Sequence, residues 1–168
     1  AYFQRSMEVN KQLGLQRGIA ANLSNIGEAY LAAARYDEAL HYYSRALEIA
    51  ERYGGKPMVL GILTNVGKTH RLLLQYEQAM TLYTRAVAVA GELGDKASVA
   101  AVISGVGDMY TDWAMAEGSD QAPYEEALEY FNAALILHEE LDHKAEIASS
   151  LGKIGFIHHL RGRYDRAI

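Results

Sequence analysis

Apolar residues recur along this chain at the spacing of amphipathic helices. The first clear run places residues at i, i+3, i+4 and i+7, and it consists of Leu23, Ile26, Gly27 and Tyr30. A second run with the same spacing consists of Tyr36, Ala39, Leu40 and Tyr43. Such spacing puts all members on one face of an α-helix. The pattern therefore predicts two consecutive helices, each with one buried face.

The same two runs return 40 residues later. Gly27 falls on Gly67, and the other matches are Leu23 with Leu63, Ile26 with Val66, Tyr36 with Tyr76, Ala39 with Ala79, Tyr43 with Tyr83 and Ala46 with Ala86. Further copies of the first run contain Gly107 and Gly155. A period of this length indicates an array of helix pairs. Four copies are visible, and the last is incomplete.

The third copy contains an insertion of eight residues between Tyr110 and Tyr124. The second half of this copy lies 48 residues after the second half of the preceding copy, rather than 40. Because the inserted stretch carries Gly, Ser, Asp and Pro, we expect an irregular, protruding loop at residues 114–123. Trp113 lies outside the repeat pattern, and it either fills a local gap or offers an aromatic anchor to a partner.

The repeat register predicts where the helices lie. Small residues recur where paired helices would cross, which predicts close backbone packing at Gly27 and its equivalents. At the N-terminus, Phe3 matches Tyr43 and Gly14 matches Gly54, so the chain opens with the second helix of a preceding pair. We expect helices at residues 1–13, 17–33, 36–53, 57–73, 76–93, 97–113, 124–141, 145–161 and 164 onward.

These motifs resemble the tetratricopeptide repeat. The first helix of each copy reads [Leu/Ile]-x-x-[Ile/Val]-Gly-x-x-[Tyr/His], and the second reads Tyr-x-x-Ala-x-x-x-[Tyr/Phe]-x-x-Ala. The 40-residue period is similar to the long-helix variety of kinesin light chains, spindle adaptors and bacterial Rap-type signalling regulators. The resemblance implies an all-α, right-handed superhelical solenoid of antiparallel helix pairs, divided into residues 1–14, 17–54, 57–94, 97–142 and 145–168.

Composition narrows the possible functions. Sixteen Lys and Arg against 21 Asp and Glu give a formal net charge of −5, which argues against nucleic acid or an anionic membrane as the main partner. No apolar run reaches the length of a membrane helix. The absence of Cys excludes disulfides, thiolate zinc sites and cysteine nucleophiles, and it favours a cytoplasmic setting.

Three constellations could carry chemistry, and none has the required pattern. The segment Gly61–Thr69 suggests a phosphate-binding loop, but five residues separate its glycines where the motif needs four. The six histidines lack the i, i+4 spacing of a helical metal site. The carboxylates Asp37 and Glu38 fall in the first turn of a helix, where they complement its dipole. We therefore expect no catalytic residues, no metal and no cofactor.

The family resemblance points instead to the first helices, which line the concave groove of such solenoids. In the family, residues two before and one after the repeat Gly, and those on the next turn, face a bound peptide. Asn25 and Asn65 match an Asn that pairs with an extended peptide backbone in long-helix relatives. Gly105 and Lys153 break this series. The peptide-binding positions carried over are Asn25, Glu28, Asn65, Lys68, Arg71, Asp108, Thr111, Lys153, Phe156 and His159.

The sequence thus favours a non-catalytic module that binds a peptide or partner helix in its groove. The alternative is a regulatory or sensor arm that packs on an effector domain of a larger bacterial-type signalling protein. We also expect end-to-end self-association, because the last first helix, with Leu151, Ile154 and Ile157, lacks most of its partner helix.

Overall fold

The computed structural model describes residues 2–118 and 122–162, and every regular element in that part of the chain is helical. The helices are α1 Tyr2–Gln12, α2 Gln16–Ala32, α3 Tyr36–Ile49, α4 Lys56–Leu72, α5 Tyr76–Leu93, α6 Lys96–Glu117, α7 Ala122–Glu140 and α8 Lys144–Leu160. A π-helical turn, Ala50–Gly54, extends α3. The all-α prediction is confirmed.

The chain forms two compact units. Unit 1 comprises Ala1–Val89, with α1 to α4 and most of α5, and unit 2 comprises Ala90–Ile168, with α6 to α8. In unit 1, α2 packs against α1, α3 and α4. In unit 2, α7 packs against both α6 and α8. We call α2, α4, α6 and α8 first helices, and α1, α3, α5 and α7 second helices, following the sequence register.

Each crossing of a helix pair is built around one glycine and one aromatic ring. A Cβ on Gly27 would lie 2.8 Å from the ring of Tyr43, and on Gly67 it would lie 2.9 Å from that of Tyr83. In unit 2, a Cβ on Gly107 would lie 2.6 Å from the ring of Phe131. These separations are shorter than van der Waals contact, so only Gly fits. The predicted close packing is confirmed at Gly27, Gly67 and Gly107, and we call this arrangement the glycine–ring contact.

Helix α1 takes the position of a second helix beside α2. The buried Asn22 amide on α2 donates a hydrogen bond of 2.9 Å to Ser6 Oγ on α1. A Cβ on Gly18 would meet the Asn10 side chain at 2.7 Å. These contacts tie the N-terminal helix to unit 1.

The turns use left-handed backbone conformations at residues that end helices. Ala34 has φ of 55° and Leu74 has φ of 59°, one repeat apart, whereas unit 2 has Gly162 at this register position with φ of 65°. A non-glycine residue in this conformation costs about 1–2 kcal/mol. At the start of α6, the Asp95 carboxylate caps the helix by accepting a 3.0 Å hydrogen bond from the Ser98 amide.

The structure corrects the predicted loop at residues 114–123. Helix α6 continues to Glu117, and Ala114 is buried within it. Helix α7 begins at Ala122, two residues earlier than predicted, with Pro123 in its first turn, where no amide donor is needed. Residues 119–121 and the helix expected from residue 164 lie outside the described part of the chain.

Two of the three apolar residues named for the α8 end, Ile154 and Ile157, pack inside unit 2. Ile157 is fully buried and packs in a cluster with Ala127 and Phe131 of unit 2, and Ile154 packs against the same cluster. These side chains face the preceding second helix, α7. Of the three residues named for this end, only Leu151 is exposed, at 52%.

Candidate functional site

The first helices of unit 1 present an adjacent set of polar side chains. Asn25 and Glu28 flank the buried Gly27 on α2, and both are exposed. Asn65 and Lys68 flank the buried Gly67 on α4 in the same way, with Asn65 partly exposed and Lys68 exposed. Because Ile26, Gly27 and their equivalents turn inward, the flanking residues turn outward. Since α2 and α4 contact each other, these four residues lie on neighbouring helices.

The amides and the ammonium of this set have no partner among the residues described. Within residues 2–118 and 122–162, the structure gives no side-chain hydrogen bond or ion pair to Asn25, Asn65 or Lys68. Their hydrogen-bonding capacity is therefore directed to solvent or to a ligand. Arg71, one turn further along α4, is half-buried and already makes contacts within the protein.

Two of the four register-equivalent residues of unit 2, Asp108 and Lys153, are paired with each other. Lys153 Nζ on α8 lies 2.8 Å from Asp108 Oδ1 on α6, and it donates a hydrogen bond of 2.9 Å to Ser104 Oγ. The ammonium also lies 5.2 Å from the centre of the Phe131 ring, in a cation–π contact. Lys153 and Asp108 therefore neutralise each other across two first helices.

The remaining predicted residues divide between exposed and buried positions. Phe156 is 48% exposed, and His159 is exposed while also making a contact within the protein. Thr111 was expected at the binding surface, but it is only 8% exposed and its hydroxyl donates to the Gly107 carbonyl at 2.9 Å. Helix α6 continues more than a turn beyond Thr111, so this residue lies inside the helix rather than near its end.

Sequence reasoning missed two stacked tyrosine pairs. The rings of Tyr30 and Tyr42 are 5.3 Å apart and nearly parallel, and those of Tyr110 and Tyr130 are 5.6 Å apart in the same arrangement. Each pair joins a first helix to its second helix. The signal was available, because the two pairs occupy equivalent register positions. Trp113 stacks on Tyr110 at 6.0 Å, so its ring packs within unit 2.

A cleft opens beside the first of these pairs. It has a volume of about 280 Å³ and lies among α1, α2 and α3 of unit 1. The Arg35 guanidinium lies 4.7 Å from the centre of the Tyr30 ring and forms an ion pair with Glu38. The lining residues include Phe3, Ile26, Tyr30, Arg35 and Tyr42.

The glycine–ring contact perturbs one titratable group next to the polar set. Burial, and to a smaller extent the negative charge of Glu28, raise the pKa of Tyr43 to about 12. Among the described residues, the buried Tyr43 hydroxyl has no hydrogen-bond partner. The phenol is therefore held in its neutral form and serves as packing rather than as an acid or base.

The segments that could carry other chemistry lack the geometry for it. The Gly61–Thr69 segment lies inside α4, and its Thr69 hydroxyl donates to the Asn65 carbonyl at 2.7 Å, so it forms no phosphate-binding loop. The described ranges contain no cluster of three or more His, Asp or Glu that could hold a metal ion. They also contain no helix with the length and apolar character needed to cross a membrane.

Comparison with sequence profiles of known families gives one match. The sequence profile of the tetratricopeptide repeat matches residues 1–52 and 18–92, which together span more than half of the chain. No curated protein sequence matches the chain significantly.

Solved structures share the fold at low identity. The BtubC (BKLC) protein of P. vanneervenii is 19% identical, with a TM-score of 0.78 over 99% of this chain and 66% of its own. A Rap protein in complex with competence and sporulation factor is 20% identical, with a TM-score of 0.82 over 98% of this chain and 44% of its own.

A STAND signal transduction ATPase of Pyrococcus horikoshii, with a tetratricopeptide repeat sensor, is 16% identical, with a TM-score of 0.74 over 98% of this chain and 24% of its own. The chain thus spans less than two thirds of the length of each of these proteins. The helix pairs, the glycine–ring contacts and the profile match agree, and the chain belongs to the tetratricopeptide repeat family.

Proposed function

We propose that the chain is a non-catalytic interaction module that binds an extended peptide segment across α2 and α4 of unit 1. The observation that carries this proposal is the set of Asn25, Asn65 and Lys68. These side chains point outward from two neighbouring first helices, and they have no partner within the described ranges. In unit 2, Lys153 stands at the position of Asn65 and forms an internal ion pair with Asp108, and Gly105 and Phe156 stand at the positions of Asn25 and Lys68.

The chemistry of this set favours a peptide backbone as the ligand. A side-chain amide offers a donor and an acceptor together, which matches the N–H and C=O of one peptide unit. Two amides on adjacent helices can therefore hold two peptide units of an extended segment. Lys68 adds a positive charge beside Asn65, so a peptide with an acidic residue near its centre should bind best.

The fold comparison is consistent with a binding role. The Rap protein that shares this fold was solved with competence and sporulation factor bound. At 20% identity, this likeness supports the fold, and the assignment of a ligand to this chain rests on the unit 1 side chains.

Peptide selection with matched variants tests the proposal. Peptides selected from a random library against the wild type should lose binding to Asn25→Ala/Asn65→Ala, since each lost amide leaves a peptide unit unpaired. The control is Gln78→Ala, which removes an exposed amide from the second helix α5. Retained binding by the double variant, or equal loss in the control, would reject the unit 1 surface as the site.

A regulatory arm is the second candidate, and α8 carries the observation in its favour. Leu151, Phe156 and Leu160 on this helix are 52%, 48% and 38% exposed, which offers apolar area to an effector domain. The STAND protein joins a tetratricopeptide repeat sensor to an ATPase. If selected partners lose binding to Phe156→Ala and not to the unit 1 variant, this function replaces the first.

A further inference from the structure

A groove opens at the N-terminal ends of α2 and α4 in unit 1. Its volume is about 650 Å³, within the range of roughly 300–1,000 Å³ that is typical of ligand pockets. Its walls come from the turn before α2, the first two turns of α2, the π-helical turn and the first turn of α4. The π-helical turn contacts both α2 and α4, so these elements form one packed part of unit 1. We call it the Tyr53 groove, and its lining includes Leu15, Arg17, Ala21, Tyr53 and Met58.

The walls of the Tyr53 groove are largely apolar and open to solvent. Tyr53 is 58% exposed and Leu15 is 50% exposed. Met58, on the α4 side, is half-buried. Large apolar side chains that are exposed together in a concave site indicate an apolar ligand group.

The groove lies on the same helix faces as the two amides proposed to hold the peptide. Ala21 is four residues before Asn25 on α2, and Met58 is seven residues before Asn65 on α4, which are spacings that share one helix face. At about 1.5 Å per residue, the groove begins about 6–10 Å from the amides. Between them on α4, Gly61 is exposed, and a Cβ there would meet nothing within 4 Å. The α4 surface from the amide to the groove is therefore open.

One unpaired positive charge lies in the groove. Arg17 lines it and is exposed. Within residues 2–118 and 122–162, the structure gives no side-chain hydrogen bond or ion pair to its guanidinium. None of the described lining residues carries a negative charge. A ligand that combines an apolar side chain with a carboxylate is therefore complementary to this groove.

Unit 2 uses the equivalent edge for an internal contact. Lys96 Nζ at the start of α6 lies 2.8 Å from Glu140 Oε2 at the end of α7. By the register, the counterparts of this pair in unit 1 are Gln16 and Arg52. Arg52 lies 3.8 Å from Glu48, one turn earlier in its own segment, and the described structure gives no hydrogen bond between Arg52 and Gln16. The link across this edge in unit 2 thus has no equivalent in unit 1, where the groove opens.

We propose that the Tyr53 groove holds one large apolar side chain of the peptide that binds Asn25 and Asn65, and that an acidic residue next to this side chain pairs with Arg17. This role rests on the proposed function and defines the peptide class as an apolar anchor flanked by a carboxylate. An extended chain advances about 3.3 Å per residue, so the anchor lies two or three residues from the peptide units held by the amides. The amides recognise the peptide backbone, and the groove selects the side chain.

Peptide selection against a charge-reversed variant tests the predicted class. Peptides selected from a random library against the wild type should share one large apolar residue with an acidic neighbour. Selection against Arg17→Glu should return peptides whose neighbour is basic, because the charge in the groove is reversed. Selected sequences without a shared apolar position, or with the same acidic neighbour for both proteins, would overturn the proposal.

A double-mutant cycle tests whether the anchor lies in the groove. In the wild type, replacing the shared apolar residue of a selected peptide by Ala should weaken binding about tenfold. In Tyr53→Ala, the same peptide change should weaken binding less than about twofold, because the ring that the anchor contacts is already missing. Equal losses in the two proteins would place the anchor elsewhere and overturn the proposal.

Matched controls keep the test specific. Leu93→Ala removes an exposed apolar side chain at the register position of Tyr53 in the next pair, and Arg45→Gln removes an exposed arginine from α3. Both controls should bind the selected peptides like the wild type, and circular dichroism should show that every variant is folded. A loss in either control as large as that in Tyr53→Ala would overturn the assignment to the groove.

The variant Asn25→Ala/Asn65→Ala separates this proposal from the proposed function. If the selected peptides lose binding to this variant and keep full affinity for Tyr53→Ala, the groove proposal is overturned and the proposed function stands. If they keep full affinity for the amide variant and lose it in Tyr53→Ala, the proposed function is overturned and the groove remains the binding site. Full affinity in both variants, or a selection that returns no peptide, would overturn both.

Discussion

Units 1 and 2 share the same interior contact and differ at the surface above it. In both, a first-helix glycine receives an aromatic ring. Next to that glycine, unit 2 pairs Asp108 with Lys153, whereas unit 1 has Glu28 and Asn65 at the equivalent positions. The repeat therefore fixes the core and leaves the outward positions free to vary. In unit 2 these positions link two helices through an ion pair. In unit 1 the amides of Asn25 and Asn65 and the ammonium of Lys68 have no partner among the described residues.

The largest effect should come from filling the shared core contact. We expect Gly67→Leu in unit 1 and Gly107→Leu in unit 2 each to lower the free energy of unfolding by about 3 kcal/mol, because the new side chain collides with a buried ring. Gly91→Leu, at an exposed helical glycine, should be neutral or slightly stabilising. Chemical denaturation measures all three. A loss in only one unit would break the similarity of the two cores.

The ring of Tyr43 in unit 1 carries a hydroxyl that the ring of Phe131 in unit 2 lacks. This difference should appear in how the free energy of unfolding depends on pH. Folding raises the pKa of Tyr43 from 10.0 to about 12, so the neutral phenol is favoured in the folded state. The stability that this contributes is complete below pH 10 and is lost as the pH rises from 10 to 12. The expected loss is about 1–2 kcal/mol.

Tyr43→Phe copies the ring of Phe131 and isolates this contribution. Its unfolding free energy should fall less than that of the wild type between pH 10 and 12. At neutral pH the variant should be at least as stable, since it removes a buried hydroxyl without a described partner. Parallel pH profiles for the two proteins would show that the Tyr43 phenol is solvated in the folded state.

The surface pair of unit 2 should contribute less than either core effect. Both side chains are about one third exposed, so the coupling between Lys153 and Asp108 should be about 1 kcal/mol. A double-mutant cycle with Lys153→Met and Asp108→Asn measures it. The matching cycle on Glu28 and Asn65 should give a value near zero. Equal couplings in the two units would remove the difference proposed here.

The smallest effect should come from transferring the unit 2 pair to unit 1. Asn65→Lys places an ammonium where Lys153 stands, opposite Glu28, and should stabilise unit 1 by about 0.5 kcal/mol. The gain should disappear in Glu28→Gln/Asn65→Lys and at high salt. Thermal unfolding at two salt concentrations checks both. If Asn65→Lys lowers stability both with Glu28 and with Glu28→Gln, a lysine at position 65 cannot adopt the geometry of the Lys153–Asp108 pair.

The core was predictable because it follows from spacing alone. Gly27 and Gly67 recur 40 residues apart, and so do Tyr43 and Tyr83, so the repeat identified these positions as core. The pairing of each glycine with the ring 16 residues later came from the structure. Thr111 was expected at the binding surface, but it is buried, in a helix that continues to Glu117 rather than ending near residue 113. Local composition suggested a loop where tertiary packing favours continued helix.

The ion pair of unit 2 was not predicted because it joins residues 45 positions apart on different helices. A signal existed in the opposite charges at register-equivalent positions of consecutive first helices, Asp108 and Lys153. Reading the register across helix pairs, rather than within each one, would have found it. The same reading identifies Glu28 and Asn65 as the unlinked counterpart in unit 1.

The central claim is that unit 1, rather than unit 2, holds the ligand, and one affinity measurement tests it directly. A peptide selected against the wild type is titrated by calorimetry into Asn25→Ala/Asn65→Ala and into Lys153→Met. We predict that the unit 1 variant weakens binding about tenfold or more, equivalent to about 1.4 kcal/mol, and that Lys153→Met changes it less than about twofold. Full affinity in the unit 1 variant together with a tenfold loss in Lys153→Met would contradict the account.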